Sequence, residues 1–146
     1  MFKRILIPTD GSPIATKAAR AGIALAKVLG ARVIGCFVVE ELRPVFGARA
    51  MVSQRMIDDF NQGNRDVGQR HVNAIGKIAA RLGVPFTAVV SRDHPPHQGI
   101  ANVAKKHKCD VIFMATHGRS GLNKLMMGSV AQKVLVHSTL PVLVYR

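Results

Sequence analysis

Residues 110–121 read DVIFMATHGRSG, and this stretch decides the fold class. After Asp110, five residues form a short apolar run, β-branched at its start, which is typical of a strand buried on both faces of a sheet. The remaining residues form a polar, glycine-bearing turn. Open α/β sheets place their ligand sites beyond the carboxyl ends of such strands. The stretch therefore predicts a parallel sheet with a functional edge.

The rest of the chain repeats the alternation of strand and helix. Further strands are predicted at residues 2–8, 31–39, 86–90 and 141–145, and helices at 14–29, 52–82, 98–107 and from Ser129 onward. Ser12 is the expected N-cap of the first helix, Pro13 its first residue and Gly30 its stop. Three glycines in the long second helix predict that its first half frays or bends: Gly63, Gly68 and Gly76.

This order of elements predicts an α/β fold with a five-stranded parallel sheet. The sheet is doubly wound in the order 3-2-1-4-5, with helices on both faces and right-handed crossovers. One domain is expected to span residues 1–146. The apolar fraction of 48% and the aromatic fraction of 5% indicate an aliphatic core.

The remaining composition narrows the class of protein. Cys36 and Cys109 each lie in an apolar stretch, so buried, reduced thiols are expected. No leader-like segment and no apolar run of membrane-spanning length is found, which predicts a cytoplasmic protein. The formal net charge is +13. A charge of this sign raises the affinity for polyanions such as nucleic acids. The basic residues are scattered along the chain, however, so nucleic-acid binding is not the favoured interpretation.

The two most polar turns follow the first and fourth strands, between which the winding of the sheet reverses. In the second turn Gly118 is followed, after nine residues, by Gly128, Ser129 and a helix. Glycine gives an anion access to backbone N–H groups, and a helix start favours negative charge. In the first turn, Asp10 could accept hydrogen bonds from a ribose or an adenine amine, or hold a metal. Two structural alternatives stay open: an Asx turn formed by Asp10, and capping of the helix by Ser129.

Four segments carry a resemblance to a known family, in order and across essentially the whole chain: ILIPTDGS, DVIFMATHGRSG, LMMGSVAQKVLVHS and PVLVYR. The sequence resembles the universal stress proteins. ATP-binding members of that family resemble one another in a G-x2-G-x9-G-(S/T) motif after the fourth strand. Here Ala115 stands at the first glycine, and weakened or unchanged binding is expected rather than loss.

The resemblance implies an adenine nucleotide ligand, namely ATP, with Mg²⁺ or Mn²⁺ as an optional bridge between phosphates. It implies the following cofactor-binding residues: Pro8, Thr9, Val38 and Val39 around the base, Asp10 at the ribose or adenine, Gly118, Gly128, Ser129 and Val130 at the phosphates, His117 and Arg119 at the rim, and Met114 and Ala115 before the turn. It also implies a homodimer through the last strand, from Pro141 to Tyr145. The function it implies is regulatory, in the stress response.

Other functions are weighed against this one. An ATP-independent dimeric interaction protein is the main alternative, and Ala115 is the feature that favours it. A slow ATP hydrolase is a further alternative, but the sequence contains no P-loop motif and no clear general base, so no catalytic residue is assigned. His94 and His97 form an HxxH pattern that lacks further metal ligands, and they are interpreted as loop histidines without a site.

Overall fold

The computed structural model describes residues 1–44, 52–117 and 127–146. Within these ranges five strands form one parallel sheet in the order β3-β2-β1-β4-β5, which confirms the predicted fold class and strand order. The strands are β1 (Arg4–Pro8), β2 (Arg32–Val38), β3 (Phe86–Ser91), β4 (Val111–Ala115) and β5 (Val142–Tyr145). The helices are α1 (Pro13–Leu29), α2 (Gln54–Leu82), α3 (Pro96–Lys106) and α4 (Ser129–His137).

Side chains of successive strand residues point to opposite faces of the sheet, and each face carries its own core. In β1, Ile5 and Ile7 pack with residues of α1 and α2, whereas Leu6 packs with residues of α3 and α4. All three side chains are fully buried. Burial on both faces explains why β1 reads as a continuous apolar run rather than as an alternating pattern.

Helix α1 begins and ends as its sequence predicts. Ser12 is the N-cap, and its side-chain oxygen accepts a hydrogen bond from the backbone N–H of Ala15 at 3.2 Å. Pro13 occupies the first helical position, and Gly30 ends the helix in the left-handed conformation with φ of 63°. The cap fixes the path of the chain from the end of β1 into α1, and therefore fixes one wall of the sheet edge.

Helix α2 corrects the prediction that its first half frays or bends. The helix is continuous over 29 residues, beginning at Gln54. Its glycines permit close packing: a Cβ on Gly68 would lie 2.8 Å from Cδ1 of Phe37, and a Cβ on Gly76 would lie 3.0 Å from Cε1 of Phe86. The tertiary contacts of the helix with the sheet offset the low helix propensity of glycine at these positions.

No helix among the described residues is long and apolar enough to cross a lipid bilayer. Cys36 and Cys109 are both buried and are not joined in a disulfide, as the sequence predicts.

Candidate functional site

A cavity of about 630 Å³ lies at the carboxyl edge of the sheet. Its walls come from the ends of β1, β2 and β4 and from the starts of α3 and α4, so it straddles the reversal of winding between β1 and β4. The volume falls within the range of small-molecule sites in proteins. The predicted residues that line it are Pro8, Thr9, Asp10, Val38, Val39, Met114, Ala115, His117, Gly128, Ser129 and Val130.

Gly118 and Arg119, which complete the predicted set, lie outside the described residues. Further lining residues were not predicted as site residues from the sequence, among them Cys36, Phe37, Glu40, Asn64, Val67, His94, Pro96, Ile100 and Thr116. Most of them come from β2, α2 and α3. Their approach to the cavity depends on packing between elements far apart in the chain, which no local pattern reports.

The turn after β1 is held by its own backbone and side chains. The N–H of Thr9 donates to the carbonyl oxygen of Cys36 at 2.8 Å, which extends the pairing of β1 with β2. The N–H of Ser12 donates to Oδ1 of Asp10 at 2.9 Å. Asp10 therefore forms the Asx turn that was one interpretation of its role. Because Asp10 also lines the cavity, the turn fixes its carboxylate at the cavity wall.

Gly11 allows α2 to approach this turn. Its φ is 79°, a conformation that L side chains rarely adopt. A Cβ at this position would also overlap the imidazole ring of His71 in α2. His71 stacks on Phe37 with ring centroids 5.6 Å apart. Gly11, His71 and Phe37 thus form a packed cluster, and Phe37 also lines the cavity.

The start of α4 does not show the alternative in which Ser129 caps the helix. Gly128 is the N-cap residue and Ser129 is the first helical residue, and among the described residues no side chain caps the helix through a hydrogen bond. Gly128, Ser129 and Val130 all line the cavity. The first-turn N–H groups of a helix lack intrahelical partners and favour an anion. An uncapped helix start therefore lies at the cavity wall.

The turn after β4 places an imidazole at the same wall. Nδ1 of His117 lies 2.8 Å from Oγ1 of Thr116, within hydrogen-bonding distance. Nε2 of His117 is buried and has no hydrogen-bond partner in the part of the chain that the structure describes. A buried ring nitrogen without a partner is uncommon in folded proteins.

Helix α2 and the segment after β2 form the other wall. The side-chain amide of Asn61 accepts from the N–H of Leu42 at 2.8 Å and donates to its carbonyl oxygen at 2.9 Å. Nδ2 of Asn64 donates to the carbonyl oxygen of Glu40 at 3.1 Å. Two asparagines of one helix thereby hold the backbone from Glu40 to Leu42 in place. Because Glu40 and Asn64 line the cavity, these bonds position its wall.

Glu41 strengthens the same wall through two arginines. Arg65 of α2 pairs with its carboxylate, and Nε of Arg92 lies 3.0 Å from it. Desolvation raises the pKa of Glu41, but the hydrogen bonds and charges of Arg92 and Arg65 lower it more, so the pKa lies below its ordinary value of 4.5. The bridge links α2 to the segment that follows β3.

The HxxH pattern does not act as one unit. His94 lines the cavity, although the sequence did not place it among the site residues. His97 lies in the first turn of α3, because that helix begins at Pro96, two residues earlier than predicted. Its ring centroid is 5.5 Å from that of His137 in α4. The two histidines therefore lie in different environments: His94 at the cavity and His97 beside His137 of α4.

A sequence profile of the universal stress protein family matches residues 1–146. The chain belongs to this family. Universal stress protein MJ0531 of Methanocaldococcus jannaschii is 34% identical over 146 residues, covering 100% of this chain and 83% of the relative. Universal stress protein YxiE of Bacillus subtilis is 31% identical over 150 residues, and the alignment covers 100% of this chain and 100% of the relative. The solved structure of MJ0577 from Methanocaldococcus jannaschii superposes with a TM-score of 0.82 at 26% identity, covering 99% of this chain and 95% of that one.

More distant universal stress proteins have been solved with ligands. One is in complex with cAMP, at 17% identity and a TM-score of 0.68, with 99% of this chain and 97% of that chain covered. One from Archaeoglobus fulgidus is in complex with dAMP, at 17% identity and a TM-score of 0.65, with 100% and 98% covered. One from Arabidopsis thaliana has AMP bound, at 16% identity and a TM-score of 0.67, with 97% and 90% covered. At these identities the likeness to this universal stress protein is one of fold.

Proposed function

We propose that this universal stress protein binds an adenine nucleotide in the cavity at the carboxyl edge of its sheet, with ATP as the preferred ligand. The observation that carries the proposal is the uncapped start of α4, which lies at the wall of a cavity large enough for a nucleotide. The AMP, cAMP and dAMP complexes of distant family members support the choice of ligand class. In this proposal nucleotide occupancy regulates how the protein takes part in the stress response.

The apolar side of the cavity is the proposed place for the base. Pro8, Val38 and Val39 line it together with Ile100. A purine ring buries apolar area against such side chains, which contributes about 25 cal/mol per Å² removed from water. Asp10, held by its Asx turn, is assigned to the ribose or adenine, where its carboxylate would accept hydrogen bonds.

The start of α4 is the proposed place for the phosphates. Gly128 has no Cβ to block the approach of a phosphate to the backbone, and Ser129 adds a hydroxyl donor. Gly118 is assigned to the same subsite by the family motif and Arg119 is assigned to the rim; both lie outside the described residues. A bridging Mg²⁺ or Mn²⁺ ion, with phosphate oxygens as its ligands, remains part of the proposal.

Ala115 lines the cavity, so the direction of its methyl group bears on the choice between a nucleotide-binding protein and the ATP-independent alternative. In β4, Val111 and Phe113 contact the core on the side of α1, whereas Ile112 and Met114 contact the core on the side of α4. By this alternation the side chain of Ala115 belongs to the α1 side of the sheet. Its methyl group is therefore directed away from the side on which α4 packs.

The proposal is tested in two steps. Protein purified without added nucleotide is denatured, and the released small molecules are analysed by absorbance and mass. Calorimetry of the nucleotide-free protein with ATP, AMP and GTP, each with Mg²⁺, then follows. We expect saturable binding of ATP that exceeds binding of GTP. Absence of released nucleotide together with absence of heat for ATP and AMP would leave the ATP-independent alternative in place.

We also propose that the protein forms a homodimer through β5 in the cytoplasm. β5 is the last strand of the sheet order and pairs only with β4 among the described residues. Its four side chains are partly exposed although they are all apolar or aromatic. An apolar edge strand of this kind is stabilised when another chain pairs with it. The buried free thiols fit a reducing compartment.

A further inference from the structure

The fold gathers basic residues that are scattered along the sequence. Parallel strands require crossover helices that run back to the start of the next strand, so α1, α2 and α3 all end at the amino edge of the sheet. Each of these helices carries basic residues in its last turn: Lys27, Arg81, and the pair Lys105 and Lys106. All four side chains are exposed. This amino edge lies opposite the carboxyl edge that holds the cavity.

Four further cations surround the starts of the strands at the same edge. Lys3 precedes β1, Arg4 is the first residue of β1, Arg32 is the first residue of β2, and Lys108 lies between α3 and β4. The N–H of Arg32 donates to the carbonyl oxygen of Lys3 at 3.0 Å. Nη1 of Arg4 lies 3.5 Å from the carbonyl oxygen of Lys108. Together with the four residues at the helix ends, these residues form one surface, the basic edge.

Acidic residues do not neutralise the basic edge. All eight Asp and Glu residues of the chain lie in the described ranges, and Asp110 is the one at this edge. Its carboxylate accepts hydrogen bonds from the backbone N–H groups of Lys3 at 2.8 Å and Arg4 at 3.2 Å. The other seven follow β1, β2 or β3 or lie in the first half of α2. Both ion pairs within the described part of the chain use Glu41, so the basic edge carries a large net positive charge.

Charge complementarity with the helices explains only part of this surface. A helix C-terminus carries about −0.5 elementary charge, and a single cation in the last turn is enough to offset it. Helix α3 carries two, Lys105 and Lys106. The four cations around the strand starts have no helix end of their own to offset.

Two of these cations lie side by side in the sheet. Arg4 and Arg32 are register partners in β1 and β2. Leu6 and Ile34, two residues further along each strand, pack in the core on the side of α3, so both arginines belong to that side of the sheet. Like charges at paired positions are destabilising. A bound anion would remove this repulsion, because it supplies the opposite charge that the chain itself does not place there.

The chemistry of the basic edge favours the phosphate backbone of a nucleic-acid duplex. A guanidinium group can bond two phosphate oxygens at once, and a lysine ammonium group binds phosphate as a point charge. Surfaces that insert into lipid or stack on unpaired bases present exposed aromatic side chains. The aromatic residues near the starts of β1 and β3, Phe2 and Phe86, instead pack against the core.

We propose that the basic edge binds the phosphate backbone of double-stranded nucleic acid, independently of base sequence. Phosphate contacts release counterions, so the affinity falls steeply as the salt concentration rises. Contacts of this kind give dissociation constants of about 10⁻⁴–10⁻⁶ M at physiological salt. The interaction makes no use of the cavity at the opposite edge and goes beyond the proposed nucleotide site.

The test measures binding of the full chain to a fluorescently labelled duplex DNA by anisotropy at several salt concentrations. The variant Arg32→Gln/Lys105→Gln/Lys106→Gln removes three exposed cations of the basic edge. We expect it to reduce the steepness of log affinity against log salt by about 1 for each residue that contacts a phosphate, and to weaken binding at low salt by at least about tenfold. Two duplexes of unrelated sequence should bind equally to the parent protein.

The matched control is Lys17→Gln/Arg20→Gln/Arg55→Gln. It removes the same net charge, but its three exposed residues lie in the first halves of α1 and α2, toward the carboxyl edge. The control should keep the salt dependence of the parent protein. Urea unfolding of both variants verifies that each is folded at the temperature of the binding measurement.

Three results overturn the inference. A parent protein that shows no salt-dependent binding to duplex DNA has no such surface. A control variant that loses as much of the salt dependence as the edge variant would assign the binding to the charge of the whole protein. Binding to vesicles of anionic phospholipid at least as tightly as to duplex DNA would identify the basic edge as a membrane surface. None of these measurements involves ATP, so the proposed nucleotide site stands or fails separately.

Discussion

The backbone N–H of Gly128 donates to the carbonyl oxygen of Thr116 at 2.7 Å. This bond joins the start of α4 to the residue that follows β4, across a separation of twelve residues in the chain. It brings the uncapped end of the helix and the imidazole of His117 to one wall of the cavity. A substitution at Gly128 therefore tests the phosphate subsite directly.

Gly128→Val should abolish or strongly weaken ATP binding, because a branched side chain would occupy the approach to the first-turn N–H groups of α4. The φ of Gly128 is −61°, which valine adopts without strain, so the variant is expected to fold. Calorimetry with ATP measures the effect. Gly63→Val is the matched control, since a Cβ on Gly63 meets no atom within 4 Å. Equal affinity in both variants would contradict the assigned subsite.

Asn61→Ala should lower the free energy of unfolding by about 1–3 kcal/mol, because it leaves both peptide groups of Leu42 without their partner. It should also weaken adenosine and ATP by a similar factor, since the segment beginning at Glu40 forms a cavity wall. Urea unfolding and calorimetry provide the two measurements. Asn73→Ala is the control: Asn73 is exposed on the same helix and accepts a bond from the side chain of Gln69. If Asn73→Ala lowered the free energy of unfolding as much as Asn61→Ala does, the contact with Leu42 would contribute little.

Gly11→Ala should destabilise the protein by more than Gly30→Ala. Both glycines have positive φ, 79° and 63°, so each substitution incurs backbone strain of about 1–2 kcal/mol. Only at Gly11 does the added methyl also overlap the ring of His71, which adds about 1–3 kcal/mol from overpacking. Thermal or urea unfolding of the two variants measures the difference. If both variants lost the same free energy of unfolding, α2 would move away from the turn without an energetic cost.

Stability should fall at alkaline pH because of Cys36. Burial, with a further contribution from Cys109, raises the pKa of the Cys36 thiol from 9.0 to about 12. The unfolded chain therefore ionises this thiol before the folded protein does, and the stabilisation that is complete below pH 9 is lost as the pH rises toward 12. The expected slope from this group approaches about 1.4 kcal/mol per pH unit.

Urea unfolding at pH 8 to 10.5, with a reducing agent present, measures this slope. Cys36→Ala should show a shallower decline above pH 9 than the parent protein, whatever its stability at neutral pH. An unchanged slope would mean that another group causes the alkaline loss.

Val144→Lys should shift the protein from dimer to monomer, because a charge on the outer strand β5 opposes pairing with a second copy. Light scattering coupled to size-exclusion chromatography measures the mass over a range of concentrations. Val28→Lys is the control, since Val28 is exposed in α1 with 83% of its surface accessible. A monomeric parent protein would contradict the proposed dimer, and a Val144→Lys variant that remained dimeric would place the interface elsewhere.

The features predicted correctly from the sequence have local causes. Ser12, Pro13 and Gly30 mark the ends of α1 because each acts on the backbone within a few residues of itself. Even so, the sequence left open whether Ser129 caps α4. Gly128 and Ser129 are both acceptable N-cap residues, and the choice between them depends on the bond from Gly128 to Thr116.

The amino-acid sequence is sufficient to predict the alternation of strands and helices, the order of the sheet and the edge at which the candidate site lies. These follow from apolar periodicity, which is a local property, and from the fixed handedness of parallel crossovers. Which side chains of distant elements meet there is known only from the folded structure. Asn64 reaches Glu40 across 24 residues, and Gly68 lies in α2 because Phe37 packs against it. Such contacts depend on the distances between packed elements, and a sequence pattern carries no information on those distances.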